Sequence, residues 1–159
     1  MALPIYKLFL ERELDDCLRL VRLNAMGQLS CAHHFGRAMV ARGRGGVMIV
    51  GAMSAYAGAP THSTYGGCKS FALTLAEGLW WEFKTHGVDV VYVSAGATST
   101  PAMDRMGLNK DPDRYQLADD LAKGALENIA NGPLYVPDRK STRLNSSHIT
   151  ISYAVFCLK

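Results

Sequence analysis

The sequence predicts an α/β fold built on a parallel sheet, and three observations carry that reading. Two short apolar runs, Val47-Met48-Ile49-Val50 and Val88-Asp89-Val90-Val91-Tyr92-Val93, have the composition of strands buried on both faces. Between them lies an amphipathic stretch long enough for the helical crossover that parallel neighbours require. Beyond them helix and strand go on alternating, down to a last short apolar run at Leu134-Tyr135-Val136. Three strands are few beside such long helices, so the chain reads as the second half of a larger domain.

Taken in order, the chain from about Leu8 to Arg42 reads as one long helix. Apolar or small residues recur at Val21, Ala25, Leu29, Ala32 and Met39, and no proline interrupts them. Gly43-Arg44-Gly45-Gly46 ends that helix and leads into the first strand, and a loop with Gly58 and Pro60 follows the strand. A second helix runs to about Thr85, with Phe71, Leu75 and Leu79 on one stripe and Gly87 as its terminator. After the second strand, Ala95-Gly96-Ala97-Thr98-Ser99-Thr100-Pro101 is a loop of small residues able to approach a ligand closely. Asp104 to Pro112 reads as irregular, and a third helix fits Tyr115 to Ala130 until Asn131-Gly132-Pro133 stops it.

Both ends read as foreign to this pattern. Residues 138–159 resemble the conceptual translation of a common DNA-sequencing adapter with its index, and Ala2-Leu3-Pro4-Ile5 resembles the reverse strand of the same adapter. Such segments are set aside from fold reasoning. The domain is then expected over residues 6–137, with 1–5 and 138–159 as adapter artefact. The whole chain carries 17 basic and 14 acidic residues, net +3. Arg139, Lys140, Arg143 and Lys159 against Asp138 account for that excess, so the basic balance gives no reason to expect a nucleic-acid or membrane partner. Cys17, Cys31 and Cys68, widely spaced and without a signal peptide, suit a reducing cytoplasm. No apolar run is long enough to span a bilayer.

The chemistry centres on Tyr65-Gly66-Gly67-Cys68-Lys69 at the start of the second helix. Positions four apart share a helix face, so the Tyr65 phenol and the Lys69 ammonium point into one cleft. A neighbouring positive charge favours the phenolate, which suits a tyrosine to proton exchange near neutral pH. Other constellations are weaker. Cys31, His33 and His34 offer only two metal ligands on one helical face. Ser54, His62 and Asp89 lack the Gly-x-Ser-x-Gly turn of a serine hydrolase.

From about Leu18 to Pro137 the chain resembles the short-chain dehydrogenase/reductase family, a Rossmann-like doubly wound parallel fold. The resemblance rests on the Tyr-x-x-x-Lys pair, on Asn24 within Val21-Arg22-Leu23-Asn24, on the helix text Leu75-Ala76-Glu77-Gly78-Leu79-Trp80-Trp81-Glu82, and on Ala95-Gly96-Ala97-Thr98-Ser99-Thr100. The last stands where the family has Pro-Gly-x-x-x-Thr. The resemblance implies an oxidoreductase that interconverts an alcohol and a carbonyl by hydride transfer to or from NAD or NADP. Tyr65 would be the general acid/base, Lys69 would lower its pKa and bind the nicotinamide ribose, and Asn24 would hold a water of the proton relay. Gly96, Thr98 and Thr100 would line the nicotinamide, Thr100 at its carboxamide. The long helix and the Tyr65 helix would form the interface of a homodimer or homotetramer.

Two departures stand out. The family's carbonyl-positioning serine lies about thirteen residues before the tyrosine and about twenty-eight after the asparagine, and both spacings land on Ala52. Losing one such donor costs about 3 kcal/mol of transition-state stabilisation. Ser54 is the nearby substitute, on the same side if the strand stays extended. The glycine-rich dinucleotide turn is also missing from residues 1–17. Gly43-Arg44-Gly45-Gly46 cannot replace it, because it precedes a strand instead of following one and opening a helix. The second reading is therefore a non-catalytic binding protein of the same fold, or a fragment that is inactive as it stands.

Overall fold

The structure is a computed structural model that describes residues 7–105 and 115–137. Residues 1–5 and 138–159 lie outside the described residues, as do positions 106–112 of the segment expected to be irregular. A single 3-10 turn, Phe9–Glu11, precedes helix α1, Leu14–Val21. A π-helical turn, Arg22–Met26, joins α1 to α2, Gly27–Ala41. Strand β1 is Gly45–Val50, followed by a 3-10 turn at Met53–Ala55 and by α3, Ser63–Lys84. Strand β2 is Val88–Val93. The short pieces β3 Thr98–Ser99, α4 Pro101–Arg105 and β4 Gln116–Leu117 lead to α5, Ala118–Glu127, and β5, Leu134–Tyr135.

Three strands form one parallel sheet in the order β1-β2-β5, with Gly45 opposite Val88 and Val50 opposite Val93. The period-two alternation of a strand sorts β2 between two cores. Val90 and Tyr92 face α3, packing with Ile49, Ala55, Ala72 and Ala76. Val91 and Val93 face the other way, onto Ala125 of α5 with Met48, Leu121, Ile129 and Tyr135 around it. Helices on both faces of a parallel sheet make the fold doubly wound, as expected.

Several expectations need correction. The first helix does not begin at Leu8: Arg12 is extended, and the helix starts at Leu14 with Asp15 and Asp16 at the positive end of its dipole. Nor is that helix continuous, because it widens into the π turn around Asn24. The first strand is not buried on both faces. β1 is an edge of the sheet among the described residues, and only Ile49 in it is buried. The third helix is shorter than Tyr115 to Ala130, since Gln116 and Leu117 pair in parallel with Thr98 and Ser99 before α5 starts. The opening of the expected irregular segment, Asp104 and Arg105, is the end of α4.

Glycine sets the reversal into β2. Gly87 has φ +70°, a left-handed conformation, and a Cβ there would run into the Gly43 carbonyl. Ala72 and Ala76 have no exposed surface, so α3 lies close against the sheet. Ala72→Leu is expected to overpack that seam and lower the unfolding free energy by about 1–3 kcal/mol. Thr74→Ala, on the exposed side of the same helix, should change it by less than about 0.5 kcal/mol in the same urea titration.

Candidate active site

The first turns of α3 overhang the carboxyl ends of β1 and β2, the edge at which open α/β sheets bind ligands. Thr61 enters this region with φ +67°, a strained value for a β-branched residue. His62 follows as N-cap of α3, its ring edge-on to the Tyr65 ring at a centroid separation of 6.4 Å. Tyr65 and Lys69 then lie one turn apart, and the Lys69 Nζ sits 5.5 Å from the centre of the Tyr65 ring. Lys69 is only 7% exposed, and its Nζ donates to the Val50 carbonyl at 3.1 Å. Among the described residues no carboxylate forms an ion pair with it. Desolvation lowers its pKa, opposed by the neighbouring Cys68 thiol. Burial in turn raises the Cys68 pKa, with Lys69 pulling it back.

Opposite α3 stands the segment that follows β1. Ala52 is extended, with φ −155° and ψ +159°, and the chain then turns through Met53–Ala55. Ser54 therefore lies in a 3-10 turn, so the extended strand that would put it on the side of position 52 ends before it. The Ser54 Oγ is buried and has no hydrogen-bond partner among the described residues. Ser70 ties the turn to α3, its hydroxyl reaching the Ala55 carbonyl at 2.7 Å and the Gly66 carbonyl at 3.0 Å. Tyr92 reaches the same place from β2. Its hydroxyl accepts the Ala52 N–H at 2.9 Å and lies 3.2 Å from the Ala52 carbonyl and 3.5 Å from the Lys69 carbonyl.

Asn24 occupies the π turn, which packs against α3 and is closed by the Gly27 N–H donating to the Arg22 carbonyl. The Asn24 amide donates to the Leu20 carbonyl at 3.2 Å. One turn on, the Gln28 amide donates to the Val50 carbonyl at 3.1 Å, so Gln28 and Lys69 converge on one acceptor. Beyond β2, the Thr98 hydroxyl donates to the Gly96 carbonyl at 3.1 Å and accepts from the Gln116 amide at 2.9 Å. Thr100 immediately precedes α4, its hydroxyl accepting the Met103 N–H at 3.4 Å.

A sequence model of the family described as short chain dehydrogenase matches residues 3–111. The chain belongs to this family. Among similar proteins, a 7beta-hydroxysteroid dehydrogenase of Collinsella aerofaciens is 33% identical over 84 residues, which are 53% of this chain and 32% of the relative. A galactitol 2-dehydrogenase of Rhizobium johnstonii is 26% identical over 146 residues, 89% of this chain and 57% of the relative. The solved short-chain dehydrogenase of Sphingobium yanoikuyae in complex with NADPH superimposes with a TM-score of 0.77 at 24% identity, covering 94% of this chain and 60% of that one. The chain thus spans less than two thirds of the length of each of these short chain dehydrogenases. Fold and family are shared.

The structure brings Tyr65, Lys69, Ala52 and the Ser54 turn together, and places Asn24 on a turn packed against their helix. Tyr92, Gln28 and Gln116 escaped the sequence reading. Tyr92 lies within an apolar strand run, and its role depends on what its ring reaches 40 positions away. No helix of the described residues is long and apolar enough to cross a membrane, and no three metal-ligating side chains cluster among them.

The depressed Lys69 pKa has a consequence for stability. Burial penalises the charged form of Lys69 in the folded state. Between its lowered folded-state pKa and the ordinary lysine value of 10.5 the unfolded chain binds more protons, so this group's contribution to stability rises with pH. The unfolding free energy of Lys69→Met relative to wild type should therefore be greatest near neutrality and fall toward pH 10.5. The difference measurement cancels the contribution of Tyr92, a Cys68→Ala background in both proteins removes that of the coupled thiol, and chemical denaturation across that range reads it.

Proposed function

We propose that this chain is the part of an NAD(P)-dependent oxidoreductase that carries proton transfer and the nicotinamide side of the cofactor site, for a small to medium alcohol/carbonyl pair. The observation that carries the proposal is the Lys69 ammonium, buried without a carboxylate and set one turn beyond Tyr65. A cation desolvated in this way is costly and marks a functional site. Its Nζ has three N–H bonds, and the described hydrogen bond to Val50 engages one, leaving donors for ribose hydroxyls. On this reading Gly96, Thr98 and Thr100, on the loop after β2, would line the nicotinamide half of a dinucleotide. A bound dinucleotide supplies or accepts the hydride.

The residues of this chain do the rest. Tyr65 gives its proton to the substrate oxygen in reduction and takes it back in oxidation. Lys69 holds the ribose and supports the phenolate, and Asn24 orders water at the far end of the relay. Ser54 supplies the hydroxyl that position 52 lacks, which is consistent with its buried, unpartnered Oγ. The names of the relatives, hydroxysteroid and galactitol dehydrogenases, support an alcohol as substrate. Met103, half-buried in α4, is consistent with an apolar covering for it. A cytoplasmic protein with no nucleic-acid or membrane partner remains the reading of its composition.

Ala52 favours the second reading, a binding protein of this fold without turnover. The two separate cleanly with purified complete protein. Tyr65→Phe should abolish turnover while sparing cofactor binding, and undiminished rates in that variant would sink the assignment. Ser54→Ala should lower kcat about 100-fold if Ser54 supplies the donor. Turnover that exists only in Ala52→Ser selects the binding protein.

The homo-oligomer is proposed to form across α2 and α3. A groove of about 280 Å³ between them is lined by Leu29, Gly36, Val40, Leu75, Leu79 and Phe83. Leu29, on its α2 wall, is exposed by 44%. Leu29→Glu should shift the protein toward monomer in sedimentation, and an unchanged mass would place the interface elsewhere.

A further inference from the structure

We propose that Tyr92 is a positioning residue for the Tyr65–Lys69 pair, its hydroxyl clamping the end of β1 to α3. The proposal rests on the reading of Tyr65 and Lys69 as the reacting pair. Tyr92 has no exposed surface, so it touches neither substrate nor cofactor. A phenylalanine would fill the same space. A buried tyrosine hydroxyl needs partners, and here all of them are backbone groups of the site.

The backbone pattern at the end of β1 explains the need. The Gly51 N–H donates to the Val93 carbonyl at 2.8 Å and the Met53 N–H to the Ala95 carbonyl at 3.2 Å, both toward β2 and the segment after it. The N–H of Ala52 between them points away from that ladder, and its methyl side chain offers no hydrogen bond. The Tyr92 hydroxyl accepts that N–H at 2.9 Å. Its single proton is shared between the Ala52 carbonyl at 3.2 Å and the Lys69 carbonyl at 3.5 Å, the second at the outer limit of such a bond. One atom thus touches both walls of the site. Gly51 is the other half of the device, because a Cβ there would run into the Tyr92 ring.

The clamp holds the Met53–Ala55 turn, with Ser54, against the turn of α3 that bears Lys69. The Lys69 side chain crosses the same gap to Val50, but through a long, flexible stem. The Tyr92 hydroxyl is buried behind the site and keeps its bonds throughout. Burial also raises its pKa, so it remains a neutral donor and acceptor where Tyr65 exchanges protons.

The test is NMR on the full chain labelled with [13Cζ]tyrosine, in wild type and Tyr92→Phe. In the variant the Ala52 amide should exchange about tenfold faster with solvent, while the Gly51 and Met53 amides keep their protection. The titration midpoint of the Tyr65 Cζ resonance should move upward by about half a pH unit as Lys69 loses its fixed place. A merely structural hydroxyl would weaken all amides together and leave the Tyr65 titration in place, and that result overturns the proposal. The wild type gives a check independent of any variant, a slowly exchanging Tyr92 hydroxyl proton with a cross-peak to the Ala52 amide, whose absence also overturns it. None of these readouts needs substrate. Failure of the clamp is therefore distinct from failure of the oxidoreductase reading, which the turnover of Tyr65→Phe decides.

Discussion

The site depends on how closely α3 lies against the sheet. Ala72 and Ala76 present only methyl groups to Val90, Tyr92 and Ile49, and both are completely buried. A larger residue at either position would lift the helix away from the strands. That lift would take Lys69 out of reach of the Val50 carbonyl and separate the helix that bears Tyr65 from the turn that bears Ser54. Close packing in the middle of the helix thus sets distances at its beginning, where the proposed chemistry lies.

Electrostatics follows from that seat. The exposed ion pair between Lys123 and Glu127, at 4.0 Å, lies in high dielectric and contributes little to stability. Lys69 is the opposite case, an ammonium taken out of water and given carbonyl oxygen instead of a counter-ion. A core selected for stability alone would carry an apolar residue there. The strained Thr61, the π turn at Asn24 and the unpartnered Ser54 hydroxyl lie in the elements that lead to or pack against the same helix, and features of this kind cluster where function requires them.

Position 52 shows how one substitution redistributes a site. With alanine there, no side chain at the end of β1 can address an oxygen across the cleft. The backbone of the same residue is instead held by Tyr92, and the buried Ser54 hydroxyl lies two positions along, in a tight turn. On the proposed reading, geometry and hydroxyl, which a serine at 52 would combine, are divided between two residues.

Much of this was legible in the sequence because it is local. Apolar runs marked β1 and β2, amphipathic spacing marked α3, and Gly43 and Gly87 marked the ends of α2 and α3, since each signal is written within a few consecutive residues. Tyr65 and Lys69 were legible for the same reason: four positions of helix place them together whatever surrounds them. The edge exposure of β1, the pairing of Gln116 with Thr98, and the break at Asn24 were not, because they depend on which segments meet in space. Tyr92 is the clearest case. By itself the sequence determined that residue 92 belongs to a buried strand, while only tertiary structure decided that its hydroxyl would meet the backbone of Ala52, because that bond joins groups 40 residues apart across the packed face of the sheet.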